Sequence, residues 1–277
     1  MRSIVTISVV LFLTVFRFSS SERILFLFPF ASKSHRNVFD PLINALADRG
    51  HEMTVVTPFA SKNLHINVEE VIPLPADNFP LVQFQDPFAM RKAGKFSSMI
   101  MNMDKIFADC NTVYENPDFQ KTINQKYDLV IMNAFVNTCF DGVLHKIGAP
   151  HILISTMAAP SFITRFTGNH LPSSFVPNPF FSESDRMNFR QRLFNWFVDI
   201  FFPVLFENYY MPKLEVLYRN HLGQETPGIH EIHRENLSLI LMNSHFSMNY
   251  PRPNFPDNIE VGGMHCRPAE PLPAVMN

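Results

Sequence analysis

Arg23-Ile24-Leu25-Phe26-Leu27-Phe28-Pro29 is the stretch on which the fold turns. A short, continuous apolar run closed by proline is what a strand buried on both faces of a parallel sheet requires, because neither face meets water. A helical pattern follows from about Asn37. Val38, Leu42 and Leu46 recur at helical spacing, Pro41 lies near the first turn, and Gly50 is placed to end the helix. Glu52-Met53-Thr54-Val55-Val56-Thr57 then reads as a second strand, so 23–57 is a compact βαβ unit.

Working outward, the same logic recurs at Asp128-Leu129-Val130-Ile131-Met132, a helix from about Thr138 to Lys146, Gly148, and the strand-like Pro150-His151-Ile152-Leu153-Ile154-Ser155. Leu237-Ser238-Leu239-Ile240-Leu241-Met242 and Ile259-Glu260-Val261 add late strands. Alternation of this kind specifies an α/β fold, a Rossmann-like doubly wound parallel sheet with helices on both faces. Two aromatic stretches interrupt it, Phe79 to Phe119 and Asp185 to Leu222; the second contains Phe189, Leu193, Trp196, Phe197, Phe201 and Phe202. Three readings of these stretches stand side by side: walls of a ligand pocket, helices packed on the sheet, or a helix lying on a membrane surface. The proline-rich tail, 251–277, reads as a linker leaving a domain that spans 22–250.

At 277 residues, 46% hydrophobic and 17% charged, the chain can bury a large core. A formal net charge of -2 supplies no broad cationic field, which argues against nucleic-acid binding. The composition of 29 Phe, 14 Met and 22 Pro against 9 Gly favours an adaptable aromatic interior over a glycine-rich phosphate cradle. Residues 1–21 read as a secretory signal peptide: Met1-Arg2-Ser3 is the positive start, Ile4 to Phe16 the apolar run, and Ser19-Ser20-Ser21 the small-residue cleavage region. That run is short for a membrane span, and no later apolar stretch reaches about 20 residues. Three cysteines, Cys110, Cys139 and Cys266, allow one internal bridge and leave one thiol. Asn236-Leu237-Ser238 is a glycosylation acceptor sequence.

No GxGxxG, GxxxxGK[ST], GxSxG, HExxH or CxxC occurs, which argues against dehydrogenase, P-loop, esterase and zinc-protease chemistry. His230 and His233 stand three residues apart, a spacing that places two imidazoles on one helical face, but no third ligand follows at suitable spacing, and no metal is expected. His35 lies between the first strand and its helix, at the carboxyl end of the sheet where open α/β folds bind ligands. The helix N-terminus, Lys33 and Arg36 would oppose imidazolium formation and keep a neutral ring available as a base.

Arg23 to Pro29, Ser34-His35, Phe39-Asp40-Pro41-Leu42 and Arg49-Gly50-His51-Glu52-Met53-Thr54-Val55-Val56-Thr57-Pro58 together resemble the start of animal UDP-glucuronosyl/UDP-glucosyltransferases, particularly insect members. Tyr127-Asp128-Leu129-Val130-Ile131, His145-Lys146 with Ala149-Pro150, Pro177-Asn178-Pro179, and Val261-Gly262-Gly263-Met264-His265 before Pro271-Leu272-Pro273 continue the resemblance along the chain. It implies the N-terminal lobe of a GT-B glycosyltransferase fold, which in this family binds a small lipophilic acceptor. The C-terminal UDP-sugar lobe, with its membrane span and cytosolic tail, is not among the motifs met before Asn277. Endoplasmic-reticulum residence, a detoxification chemistry, and association with the membrane or with full-length relatives are implied in the same way. No cofactor is implied beyond the UDP-sugar co-substrate.

The family's catalytic histidine falls on His35, whose implied role is to take the proton of an acceptor hydroxyl as its oxygen attacks the anomeric carbon of UDP-glucose or UDP-glucuronate. UDP then leaves with inversion. An acidic partner is expected at or near Asn133 or Thr138, neither of which carries charge, and Asp141 is the nearest substitute in sequence. Candidate acceptor contacts are Phe30 and Ser34 beside the first strand, Phe88 and Phe96 in the first aromatic stretch, and Phe197 in the second. The alternative to a transferase is a truncated, non-catalytic protein that binds lipophilic ligands or modulates its relatives.

Overall fold

The computed structural model describes residues 21–75, 103–179 and 183–266. Seven strands form one sheet: β1 (Arg23–Leu27), β2 (Glu52–Val56), β3 (Val68–Val71), β4 (Leu129–Asn133), β5 (His151–Ser155), β6 (Leu237–Met242) and β7 (Asn258–Glu260). Their order is β3-β2-β1-β4-β5-β6-β7, and every neighbouring pair is parallel. The chain winds outward from β1 to β3 and then returns to place β4 on the other side of β1. The carboxyl ends of β1 and β4 are therefore neighbours at the point where the winding reverses, the position at which doubly wound sheets bind ligands.

Alternation along β1 divides the core into two layers. Ile24, Phe26 and Phe28 pack with Met53, Val55 and Ile131 against Phe39, Ile43 and Ala47 of α1 (Lys33–Asp48). Leu25 and Leu27 point the other way, into a larger layer with Val130, Met132, Leu153 and Ile240. That layer is closed by α2 (Met103–Glu115), α3 (Pro117–Ile123), α4 (Asp141–Ile147), α7 (Met211–Leu222) and α8 (Ile229–Asn236). Phe26, Phe28 and Phe39 meet edge-on or tilted with centroids 5.2–5.3 Å apart, which fixes α1 over β1.

Several boundaries depart from the pattern read in the sequence. Helix α1 begins at Lys33 rather than near Asn37, so Pro41 lies inside it and His35 is its third residue. Strand β3 carries two acids in four residues and has no hydrophobic signature; Glu70 is nonetheless held there by the guanidinium of Arg36 and by the Ser61 N–H at 2.9 Å. Helix α2 falls within the first aromatic stretch and α3 begins at its end, where Asn116 caps α3 by accepting from the Asp118 and Phe119 N–H groups. Strand β7 lies inside the tail read as a linker: Ile240 donates to Asp257 and Val261 to Met242, so the sheet continues past residue 250. Cys110 and Cys139 form the single disulfide, joining α2 to the turn after β4, and Cys266 is free and exposed.

Candidate functional site

His35 sits in the first turn of α1, against the rings of Phe39 and Phe135, whose centroids lie 6.3 and 6.1 Å away. Burial pushes its pKa down to about 4, so the ring is neutral near pH 7. The two cations expected to do this are not the cause. Arg36 turns its guanidinium away into a buried cluster with Asp40, Glu70 and Ser61.

Asn133, the last residue of β4, is fully buried and places its Nδ2 3.5 Å from His35 Nδ1. The orientation of this amide is set by the backbone two residues on. The Phe135 N–H donates to Asn133 Oδ1 at 3.2 Å, while Asn133 Nδ2 donates to the Phe135 carbonyl at 3.3 Å. The side chain thus turns a donor, not an acceptor, toward His35. Nδ2 also reaches the Phe30 carbonyl at 3.5 Å, so its contact with the ring is a shared and long one; an imidazole nitrogen facing a donor is best satisfied by its lone pair, which favours the ring proton on Nε2.

A second asparagine, unremarked in the sequence, holds the two loops together. Asn137 accepts from the Phe30 N–H at 3.0 Å and donates to the Phe30 carbonyl at 2.9 Å and the Phe135 carbonyl at 2.7 Å. Beside it Val136 has φ of 65°, a conformation that L residues, and β-branched ones above all, rarely adopt. The strain, of order 1–2 kcal/mol, is held in place by this clamp.

Beyond Phe135 opens an apolar cavity of about 210 Å³. The turn after β4 supplies Ala134, Phe135, Val136, Thr138 and Cys139, and α5 (Ser161–Thr164) supplies Ser161, Phe162 and Ile163. The opposite wall is the long helical stretch that begins with α6 (Phe189–Leu205), passes through a π turn (Phe206–Tyr210) and continues as α7. Asn188 caps α6 through a reciprocal pair with Gln191, and Asn195 anchors it by donating to the Ser173 and Val176 carbonyls at 2.7 and 2.9 Å. Asp199 is the charged group of the wall, beside the polar Asn178, Ser161, Thr138 and Tyr210, and of these lining residues the sequence had drawn attention to Thr138, Cys139, Asn178 and Phe202.

The other expected contacts lie elsewhere. Phe30 is buried in the core against Phe140, and Ser34 is exposed and hydrogen-bonded to Ser32. Phe197 stacks on Phe201 on the outer face of α6, while Phe88 and Phe96 fall outside the described residues. Asp141 faces His233, whose Nε2 is 3.5 Å away, and His233 in turn meets His151 at 3.0 Å; this buried chain, not His35, is where that acid belongs. Asn236 is the half-buried last residue of α8. His230 turns to Glu207 while His233 turns to Asp141 and His151, and among the described residues no three acidic, histidine or cysteine side chains converge as a metal site would need.

The family model for UDP-glucoronosyl and UDP-glucosyl transferase matches residues 24–277. The chain belongs to this family. UDP-glucosyltransferase 2 of Dactylopius coccus is 30% identical to it over 269 residues, covering 95% of this chain and 51% of that protein. UDP-glucuronosyltransferase 2A3 of Cavia porcellus is 27% identical over 265 residues, covering 88% of this chain and 49% of that protein. The chain thus spans about half the length of the curated UDP-glycosyltransferases it matches. Among solved structures, spinosyn forosaminyltransferase SpnP aligns over 88% of this chain and 51% of its own at 16% identity, with a TM-score of 0.40. The Rossmann-like lobe expected from the resemblance is the fold observed, and His35 lies at its winding reversal.

Proposed function

We propose that this chain is the acceptor-binding lobe of a UDP-glycosyltransferase of the secretory pathway, which seats a small lipophilic alcohol or phenol in the cavity and presents its hydroxyl to His35. The observation that carries this reading is Phe135, whose one ring both lines the cavity and packs edge-on against His35. In the transfer, the acceptor oxygen forms a bond to the anomeric carbon, the bond from that carbon to the UDP oxygen breaks, and the hydroxyl proton passes to the imidazole. The donor would be UDP-glucose or UDP-glucuronate, held by a second lobe.

The exposed face of α6 supports a lipid surface as the setting. Phe189 (76% exposed), Leu193, Trp196, Phe197, Ile200, Phe201 and Val204 form one broad apolar stripe. Arg186, Arg190 and Arg192 lie exposed at its start, and the one acid of the helix, Asp199, faces the cavity. Apolar bulk with flanking cations suits anionic headgroups. Among the described residues no helix is long and apolar enough to cross a membrane.

A second reading, a non-catalytic binder, is favoured by Asn133, since a ring protonated on Nε2 has no lone pair there for an acceptor hydroxyl. Calorimetric titration with 4-ethylphenol and with UDP tests the lobe: the phenol should bind, and its failure would overturn both readings. Sugar transfer by a form that includes a donor lobe separates them. His35→Ala should abolish transfer if the first reading holds, and an unchanged rate would remove His35 from the chemistry.

A further inference from the structure

Asp199 is a carboxylate in the wrong place for a pocket that takes only apolar molecules. It lies on the inner face of α6 between Val198, which is buried, and the stretch Phe202-Pro203, and all three neighbours line the same cavity. Among the described residues of the wall, every other side chain is uncharged at neutral pH. Its Oδ1 accepts from Asn178 Nδ2 at 3.3 Å and from Ser161 Oγ at 3.5 Å, both long for hydrogen bonds. An ionised carboxylate offers about four lone-pair sites, so two long donors, both to Oδ1, leave acceptor capacity on a residue that lines the cavity. Burial raises its pKa, the signature of a charge whose surroundings do not fully replace water.

No cation among the described residues lies within ion-pair distance of it. Arg252 shares with Asp199, Ser161 and Asn178 the lining of a small adjacent cleft, but its Nη1 donates to the Ala159 carbonyl at 2.6 Å. A half-buried carboxylate with weak partners costs stability, and a cationic or donor-bearing ligand is the group that would offset that cost.

We propose that Asp199 sets the acceptor class of this lobe: an otherwise apolar hydroxyl compound that carries a basic amine, with the ammonium at Asp199 and the apolar body along the Phe-rich wall. This rests on the acceptor reading of the cavity and narrows it. The alternative occupant, a neutral apolar phenol, would gain nothing from the carboxylate.

The matched pair tyramine and 4-ethylphenol, which differ by one ammonium, tests this by calorimetry on the chain itself. The wild-type lobe should bind tyramine about tenfold or more tightly, as expected for one hydrogen bond to a charged group. Asp199→Asn should bring tyramine down to the level of 4-ethylphenol and change 4-ethylphenol by less than about twofold. Binding of 4-ethylphenol with no wild-type preference for tyramine overturns the proposal and leaves the cavity reading intact. Equal losses for both ligands in Asp199→Asn overturn it too, since the residue would then be structural. If neither ligand binds the wild-type chain, the cavity reading itself fails and this inference falls with it. The wild-type comparison needs no variant to fold.

Discussion

A single amide decides what the histidine of this lobe can do. Because the Phe135 backbone fixes Asn133 with its Oδ1 engaged, the group facing His35 Nδ1 at 3.5 Å is a donor. A carboxylate at the same position would accept from Nδ1–H, free the lone pair on Nε2 and stabilise the cation that proton abstraction creates; in serine proteases the corresponding change from acid to amide lowers the rate about 10⁴-fold. Asn133→Asp should therefore move the ring proton to Nδ1 and raise the His35 pKa from about 4 by a unit or more, both readable by nitrogen-15 NMR of the imidazole. An unchanged tautomer would mean that the amide does not govern the ring. His35 itself was legible because it follows a buried strand at the sheet's carboxyl end. Asn137 was not, since its partners are backbone atoms of Phe30, 107 positions away, and no side-chain pattern announces a bond to a distant backbone.

At the scale of elements, α6 explains why an aromatic helix is hard to read. It is apolar nearly all round, so hydropathy does not say which face meets what. The structure divides it: Asn195 and Val198 are buried, Asp199 and Phe202 face the cavity, and Phe197 and Phe201 stack outward with centroids 5.5 Å apart. All three sequence readings of this stretch thus concern one helix, with pocket wall and packing on its inner side and lipid contact proposed for its outer side. Trp196, the single tryptophan of the chain, is half exposed on that outer face and reports on it directly. Its fluorescence should shift to shorter wavelength with vesicles of phosphatidylserine and phosphatidylcholine, and less with phosphatidylcholine alone. Phe197→Glu together with Phe201→Glu should abolish the shift while leaving cavity ligands bound. A spectrum indifferent to lipid would discard the membrane setting.

Across the whole molecule, the parallel sheet was legible as alternating buried runs and helices, but its order was not. Nothing in those runs says that β4 must lie against β1, and β3, with two acids in four residues, left no hydrophobic trace. The order matters because it separates the half-buried His35, where the winding reverses, from the buried His151 with His233 and Asp141, which tie β5 to α8 and α4. Burial lowers the His35 and His151 pKa values to about 4 and about 3 from an ordinary 6.5. Between those values and 6.5 the unfolded chain binds protons that the folded one refuses. Stability from these rings is therefore complete above about pH 6.5 and is lost as pH falls, at up to about 1.4 kcal/mol per pH unit for each ring. Asp141 opposes this, because burial raises its pKa and the folded state then keeps a proton that the unfolded chain releases above its ordinary value near 3.8. Burial also lowers the His221 pKa and raises that of Asp199, so three rings against two acids leave a net gain of stability from pH 4 to 6.5, measurable by urea unfolding across that range. Asp141→Asn should steepen the rise, and His151→Gln should flatten it. A slope that neither substitution changes would place the pH dependence outside this cluster, leaving His35 and His221 as the rings that set it.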